Sequence, residues 1–72
     1  MTYEEMMAGA DALNAYYRAD IEDDLYETSL AAASVVYNVV HSYKQLLSDY
    51  AEQAGCYCEW EARVYDGLEE EA

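Results

Sequence analysis

The segment LAAASVVYNVVHSYKQLL, from Leu30 to Leu47, decides the fold. It holds no Gly, no Pro and no acidic residue, and nothing after it stops a helix until Gly55. Ala33, Val40, Leu47 and Ala54 keep a seven-residue repeat, and Val36, Tyr43 and Tyr50 fall three positions after the first three of them. This is an a/d-like stripe. Val39 and Leu46 widen it, which suits a packed bundle or a helical dimer better than a narrow two-stranded zipper. Asn38, His41, Ser42, Lys44 and Gln45 make the segment too polar to span a bilayer, so it reads as a core helix.

On its N-terminal side, Asp20-Ile21-Glu22-Asp23-Asp24 looks like a helix start, with Asp20 as the cap and acids filling the first turn. From there to Gly55 the chain reads either as one helix of about 34 residues, roughly 50 Å long, or as two helices that break near Thr28-Ser29. Further back, Thr2-Tyr3-Glu4-Glu5 has capping-box spacing and opens a first helix over 3–18. Met6, Ala10, Leu13 and Tyr17 share its apolar face, and Glu5, Asp11 and Asn14 lie opposite.

Beyond Gly55, a fitting C-cap, residues 56–65 satisfy two periods. Cys56, Cys58, Trp60, Ala62 and Val64 alternate as in a half-buried strand, while Tyr57, Trp60, Val64 and Leu68 share one helical face. No second strand is visible to pair with the first, so a short helix over 57–66, ended by Gly67, is the preferred reading. The expectation is an all-α single domain over 1–72: a bundle of two to three helices with one long central helix, and residues 69–72 as a frayed acidic tail. The alternative is an α+β fold with a C-terminal strand around 56–65.

The chain carries 16 Asp+Glu against 3 Lys+Arg in 72 residues, a net charge of -13. Such a surface repels phosphate backbones and anionic membranes, which excludes direct nucleic-acid or membrane binding as a main role. A hydrophobic fraction of 54% argues against simple disorder. The N-terminus has acids where a signal peptide needs a basic region and an apolar core, so the expected location is cytoplasmic.

Site chemistry is sparse. Cys56-Tyr57-Cys58 is half of a zinc site and the chain has one His, so two reduced cysteines on a buried face and no metal are expected, with four thiolates across a dimer as the testable exception. Asp20, Glu22 and Asp24 take positions 1, 3 and 5 of a calcium loop, but Leu25 stands where the turn needs Gly and Ala31 where a bidentate Glu is needed. His41 sits in the apolar helix with no nucleophile at a useful spacing, so no enzyme activity and no cofactor are expected. Acyl carrier proteins are acidic helical domains of similar length, but Thr28 precedes Ser29 where that family has Asp.

The acids are unevenly spread, with none between Glu27 and Asp49. Solubility is satisfied by a net charge of roughly 2 to 8 in magnitude, and self-repulsion destabilises a compact state. The excess therefore points to a basic partner surface. In length, in the acidic runs Asp20 to Glu27 and Glu69 to Glu71, in abundant Tyr and in lacking a catalytic motif, the chain resembles the small acidic inhibitors of phages and mobile elements: DNA-mimicking anti-restriction proteins, uracil-glycosylase inhibitors and several anti-CRISPR proteins.

That resemblance implies carboxylates standing in for phosphates, in an inhibitor that occupies the nucleic-acid channel of a defence or DNA-processing enzyme. Asp20, Glu22, Asp23, Asp24 and Glu27 would meet its Arg and Lys residues, with Glu59, Glu61 and Asp66 as a second contact set. Tyr16, Tyr26 and Trp60 are the candidate aromatic anchors. The alternative is a small helical homodimeric adaptor whose a/d stripe is the interface and whose acids only keep it soluble.

Overall fold

Thr2 opens the first helix as its spacing with Glu5 requires. Its Oγ1 accepts from the Glu5 backbone N–H at 3.1 Å and its own N–H donates to Glu5 Oε1 at 3.2 Å, which completes the capping box. In the computed structural model, which describes residues 1–68, this helix (α1) runs Tyr3–Arg18 and is followed by α2 (Ile21–Thr28), α3 (Leu30–Ala54) and α4 (Tyr57–Val64). There is no strand among the described residues. The alternating pattern at 56–65 is that of a helix, and the strand reading is overturned. The expected tail at 69–72 lies outside the described residues.

The count of four helices, against an expected two or three, comes from one residue. Ser29 is extended, with φ -161° and ψ 116°, and its Oγ accepts from the Ala32 N–H at 3.2 Å. A side chain that satisfies the first turn of a new helix competes with continuation of the old one, so the run from Asp20 is two helices and no 50 Å rod forms. α3 still has 25 residues and spans about 37 Å. It is the long central helix, and Gly55 closes it in the left-handed conformation at φ 76°.

Asp20 departs from expectation as a cap. It precedes α2 at φ 51°, the one non-glycine residue with positive φ among those described, and its side chain makes no capping bond. An N-cap needs an extended backbone to aim its oxygen at the N–H groups that follow. The left-handed turn between α1 and α2 denies Asp20 that geometry.

The core lies where α1 and α4 pack on the C-terminal half of α3. Met6, Met7, Ala10 and Leu13 of α1 meet Leu47 and Ala51 of α3 and Trp60 and Val64 of α4. Trp60, Leu47 and Val64 are the largest fully buried side chains, each contributing about 1.5–3 kcal/mol of burial free energy. Gly9 lets α1 approach α3 closely, since a Cβ there would stand 2.5 Å from Leu47 Cδ1. In contrast, the N-terminal half of α3 buries only Ala33, and α2 buries nothing. The chain is accordingly elongated, at 39 × 27 × 16 Å with a radius of gyration of 13.2 Å, against about 11 Å for a compact chain of this length. No helix described is long and apolar enough to cross a membrane.

Asn14, expected on the outer face of α1, instead ties α1 to the end of α4. Its Nδ2 donates to the carbonyls of Val64 at 2.9 Å and Asp66 at 2.8 Å, and Arg18 Nε donates to Asn14 Oδ1 at 2.7 Å. Arg18 Nη2 adds a 2.7 Å bond to the Asp66 carbonyl. These bonds satisfy carbonyls that a helix end leaves without partners. Replacing Asn14 with Ala should therefore destabilise the fold by about 1–3 kcal/mol, read as a lower urea midpoint at unchanged slope. A loss within error would show that water serves those carbonyls equally well.

Candidate partner-binding surface

The longest unneutralised acidic stretch is α2. Asp23 and Glu27 are one turn apart and Asp24 lies beside Asp23, so these three carboxylates fall along one side of a short helix, with Asp20 in the turn that precedes it. All four are exposed. None accepts a hydrogen bond or ion pair among the described residues. From Asp20 to Glu27 the axis advances about 10 Å. Four charges over that length stand on average about 3.5 Å apart along the axis, close to the roughly 3.4 Å spacing of phosphates along one DNA strand.

Glu22 points the other way. It is half-buried and lines a notch of about 130 Å³ with Tyr16, Tyr17, Asp20, Ile21 and Asp23. The Tyr16 hydroxyl is buried there with no hydrogen-bond partner among the described residues. Burial first, and then the Glu22 carboxylate, raise its pKa. Tyr26 is exposed on α2. Trp60, expected as a third aromatic anchor, is 1% exposed and belongs to the core. A side chain that holds three helices together is not on the surface a partner meets, and Trp60 is corrected out of the candidate set.

The second acidic set is separate from the first, because α2 packs on α3 and α1 but makes no contact with α4. Two of its members serve as local acceptors. Glu59 takes a 2.8 Å bond from the Tyr3 hydroxyl and Glu61 a 2.6 Å bond from the Tyr57 hydroxyl. Asp66 is exposed at the turn after α4, its carbonyl held by Asn14 and Arg18.

All three cations of the chain are engaged internally. Arg63 forks onto Asp11 at 2.7 and 3.0 Å, the one ion pair among the described residues. That bond holds the Asp11 carboxyl below its usual range. The pair is about half exposed, so its contribution to stability is small. Arg18 is spent on Asn14 and the Asp66 carbonyl. Lys44 donates to the Tyr65 hydroxyl and lies 4.8 Å from the Tyr65 ring centroid and 5.7 Å from that of Tyr17, two rings stacked at 6.1 Å. Burial opposes its charge, but the bond to Tyr65 and the two phenols together raise its pKa. None of the three is left to neutralise α2.

His41 is exposed and lies against the Tyr37 ring at 4.0 Å between centroids. Cys56 is half-buried and Cys58 exposed, both free, so the expected buried cysteine face is only half formed. No cluster of three or more metal-ligating side chains occurs among the described residues. Of the a/d-like stripe of α3, Ala33 and Leu47 are buried and Val36 and Val40 half-buried, while Tyr43, Tyr50 and Ala54 are exposed. The unpartnered apolar face lies one position over. Val35, Val39 and Leu46 are 63%, 64% and 51% exposed, with Tyr43 and Tyr50 beside them. Its signal in the sequence is the widening by Val39 and Leu46. Comparison of the chain with protein-family models, with curated proteins and with solved structures found no match.

The phenols make the fold sensitive to alkali. Tyr3 and Tyr57 have raised pKa values because their hydroxyls donate to Glu59 and Glu61, and Tyr16 because it is buried beside Glu22. A group raised in the folded state stabilises it fully below its unfolded value, about 10 for a phenol, and that stability is lost as pH rises through the folded value. Helicity should thus fall above about pH 10 together with late ionisation absorbance at 295 nm. Tyr57→Phe should remove one late phenol. Nine phenols ionising together at an ordinary value, with helicity retained, would contradict the assignment.

Proposed function

We propose that this protein is an inhibitor that binds the basic nucleic-acid-binding surface of a host defence or DNA-processing enzyme by presenting carboxylates in place of phosphates, as DNA-mimicking anti-CRISPR and anti-restriction proteins do. The observation that carries this reading is the row Asp23, Asp24 and Glu27 on α2 with Asp20 just before it: exposed, unpaired, and at about the charge spacing of one DNA strand. A helix that buries no residue of its own contributes little to the core. Its acids are costly to gather there and have no structural partner, which favours an external one.

The remaining members take subordinate places. Tyr26 lies exposed within the row, and the Tyr16 notch with Glu22 adjoins it. Glu59, Glu61 and Asp66, on α4 and the turn after it, form a second patch that a large basic surface reaches together with the first. The partner is a protein or complex rather than nucleic acid, and neither cofactor nor metal enters the mechanism. Contact with Arg and Lys in a channel steers association and weakens steeply with salt.

The test is a tagged pull-down from bacterial lysate with elution in rising salt, run with and without added duplex DNA. A basic nucleic-acid enzyme should be captured, released at moderate salt and displaced by DNA. The variant Asp23→Lys/Asp24→Lys should keep its helical circular dichroism and lose on the order of tenfold or more in affinity per reversed residue. Undiminished capture by that variant would remove α2 from the site. Capture that ignores both salt and DNA would sink the mimicry reading.

A further inference from the structure

The exposed apolar face of α3 is symmetric about its own midpoint. Val35, Val39, Leu46 and Tyr50 follow one another with Ser42-Tyr43 at the centre, and the spacing reads the same from either end: 4, 3, 1, 3 and 4 residues. Turned end over end on a second copy, the helix places Val35 against Tyr50, Val39 against Leu46 and Ser42 against Tyr43. Each pairing occurs twice, and the bulkier Tyr meets the smaller Val at both ends. An interface with a two-fold axis requires this kind of self-complementary patch.

Charge points to the same occupant. Two molecules of net charge -13 repel each other over most of their surfaces. The stretch between Glu27 and Asp49 has no carboxylate, and it forms the N-terminal and central part of α3. It is therefore the face on which two copies approach with least repulsion. A basic partner, the other conceivable occupant, finds one carboxylate there, Asp49 at the edge beside Ser42 and Leu46.

From these observations we infer that the protein self-associates as an antiparallel dimer through the Val35–Tyr50 face of α3, with the two-fold axis passing between Ser42 and Tyr43. A strip one helix wide and about 22 Å long between Val35 and Tyr50 covers a few hundred Å² per copy, below the roughly 800 Å² of a standard stable interface. The dimer is consequently reversible at moderate concentration. Screening of the mutual repulsion strengthens it as salt rises. That is the opposite of the salt response expected for carboxylates on a basic channel, so the two interactions are separable in one titration and neither depends on the other.

The experiment is sedimentation equilibrium over a wide concentration range at low and high salt, on the full chain and on Val39→Asp and Leu46→Asp. Both side chains are more than half exposed in the single chain, so the variants should keep native helicity. The wild type should shift toward twice the monomer mass with concentration and further with salt, and each variant should weaken association by about thirtyfold or more. Direction is read by cross-linking in a Cys56→Ser/Cys58→Ser background. Ser42→Cys sits at the axis and should form an intermolecular disulfide. Val39→Cys should not, because its own counterpart lies about 10 Å away along the helix, beyond disulfide reach. A wild type that stays monomeric at every concentration and salt overturns the proposal. So does a dimer indifferent to both Asp variants, or one that cross-links equally well at 39 and 42.

Discussion

Everything in this molecule depends on Trp60 being held between α1 and the C-terminal half of α3. Its indole is the largest fully buried side chain, and Met6, Met7, Ala10, Leu13, Leu47, Ala51 and Val64 complete the cluster it joins. A chain of 72 residues has little surface to remove from water, and here the load is further concentrated. Nearly all the buried apolar side chains belong to three helices at one end. That arrangement leaves α2 and the N-terminal half of α3 supported by their junction at Ser29 and by Ala33 alone among buried residues. The core is thus also the reason why the other end is free to carry exposed charge and exposed apolar side chains.

The bonds around the core have one common purpose, which is to compensate for shortage of buried area with backbone satisfaction. Asn14 and Arg18 cap the end of α4 from α1, Thr2 and Glu5 cap α1, Ser29 caps α3, and Gly55 ends it. Each removes unpaired groups from a helix terminus, and a bundle of four helices has eight such termini. Cations would ordinarily moderate an acidic surface. Here Arg18, Arg63 and Lys44 are drawn into this internal work, and the surface is left with its charge imbalance.

Much of this was legible in the residues. The capping box, the span of α1, the C-cap at Gly55 and the helical character of Leu30 to Leu47 follow from local chemistry that needs no tertiary information. The strand-like alternation at 56–65 was ambiguous because Trp60 and Val64 serve both periods, and packing against Leu13 and Leu47 resolved it. Asp20 failed as a cap and Trp60 as a surface anchor for a shared reason. Propensity describes what a side chain prefers, whereas the left-handed turn at Asp20 and the burial of the indole are set by where other helices lie. The inward turn of Asn14 was hidden for the same reason. The acidic row on α2 was readable as a list of residues, but its lack of partners needed the structure to show where each cation goes.

The distribution of charge along α2 and α3 then takes on a physical logic. Concentrating carboxylates on one short helix raises its local field, and clearing them from the next 21 residues, Thr28 to Ser48, leaves an apolar face that a like-charged copy can approach. If the acids were spread evenly, neither surface would exist: the field would be diluted below that of a nucleic-acid strand, and every approach between copies would meet repulsion. On the two readings proposed above, segregation would give the surfaces opposite salt dependence, because one would act through attraction between unlike charges and the other against repulsion between like ones. α2 joins α3 at Ser29, at one end of the symmetric face. In the antiparallel pair inferred above, the two acidic rows would lie at opposite ends of a helix about 37 Å long, so that self-association would extend the acidic array over a longer span.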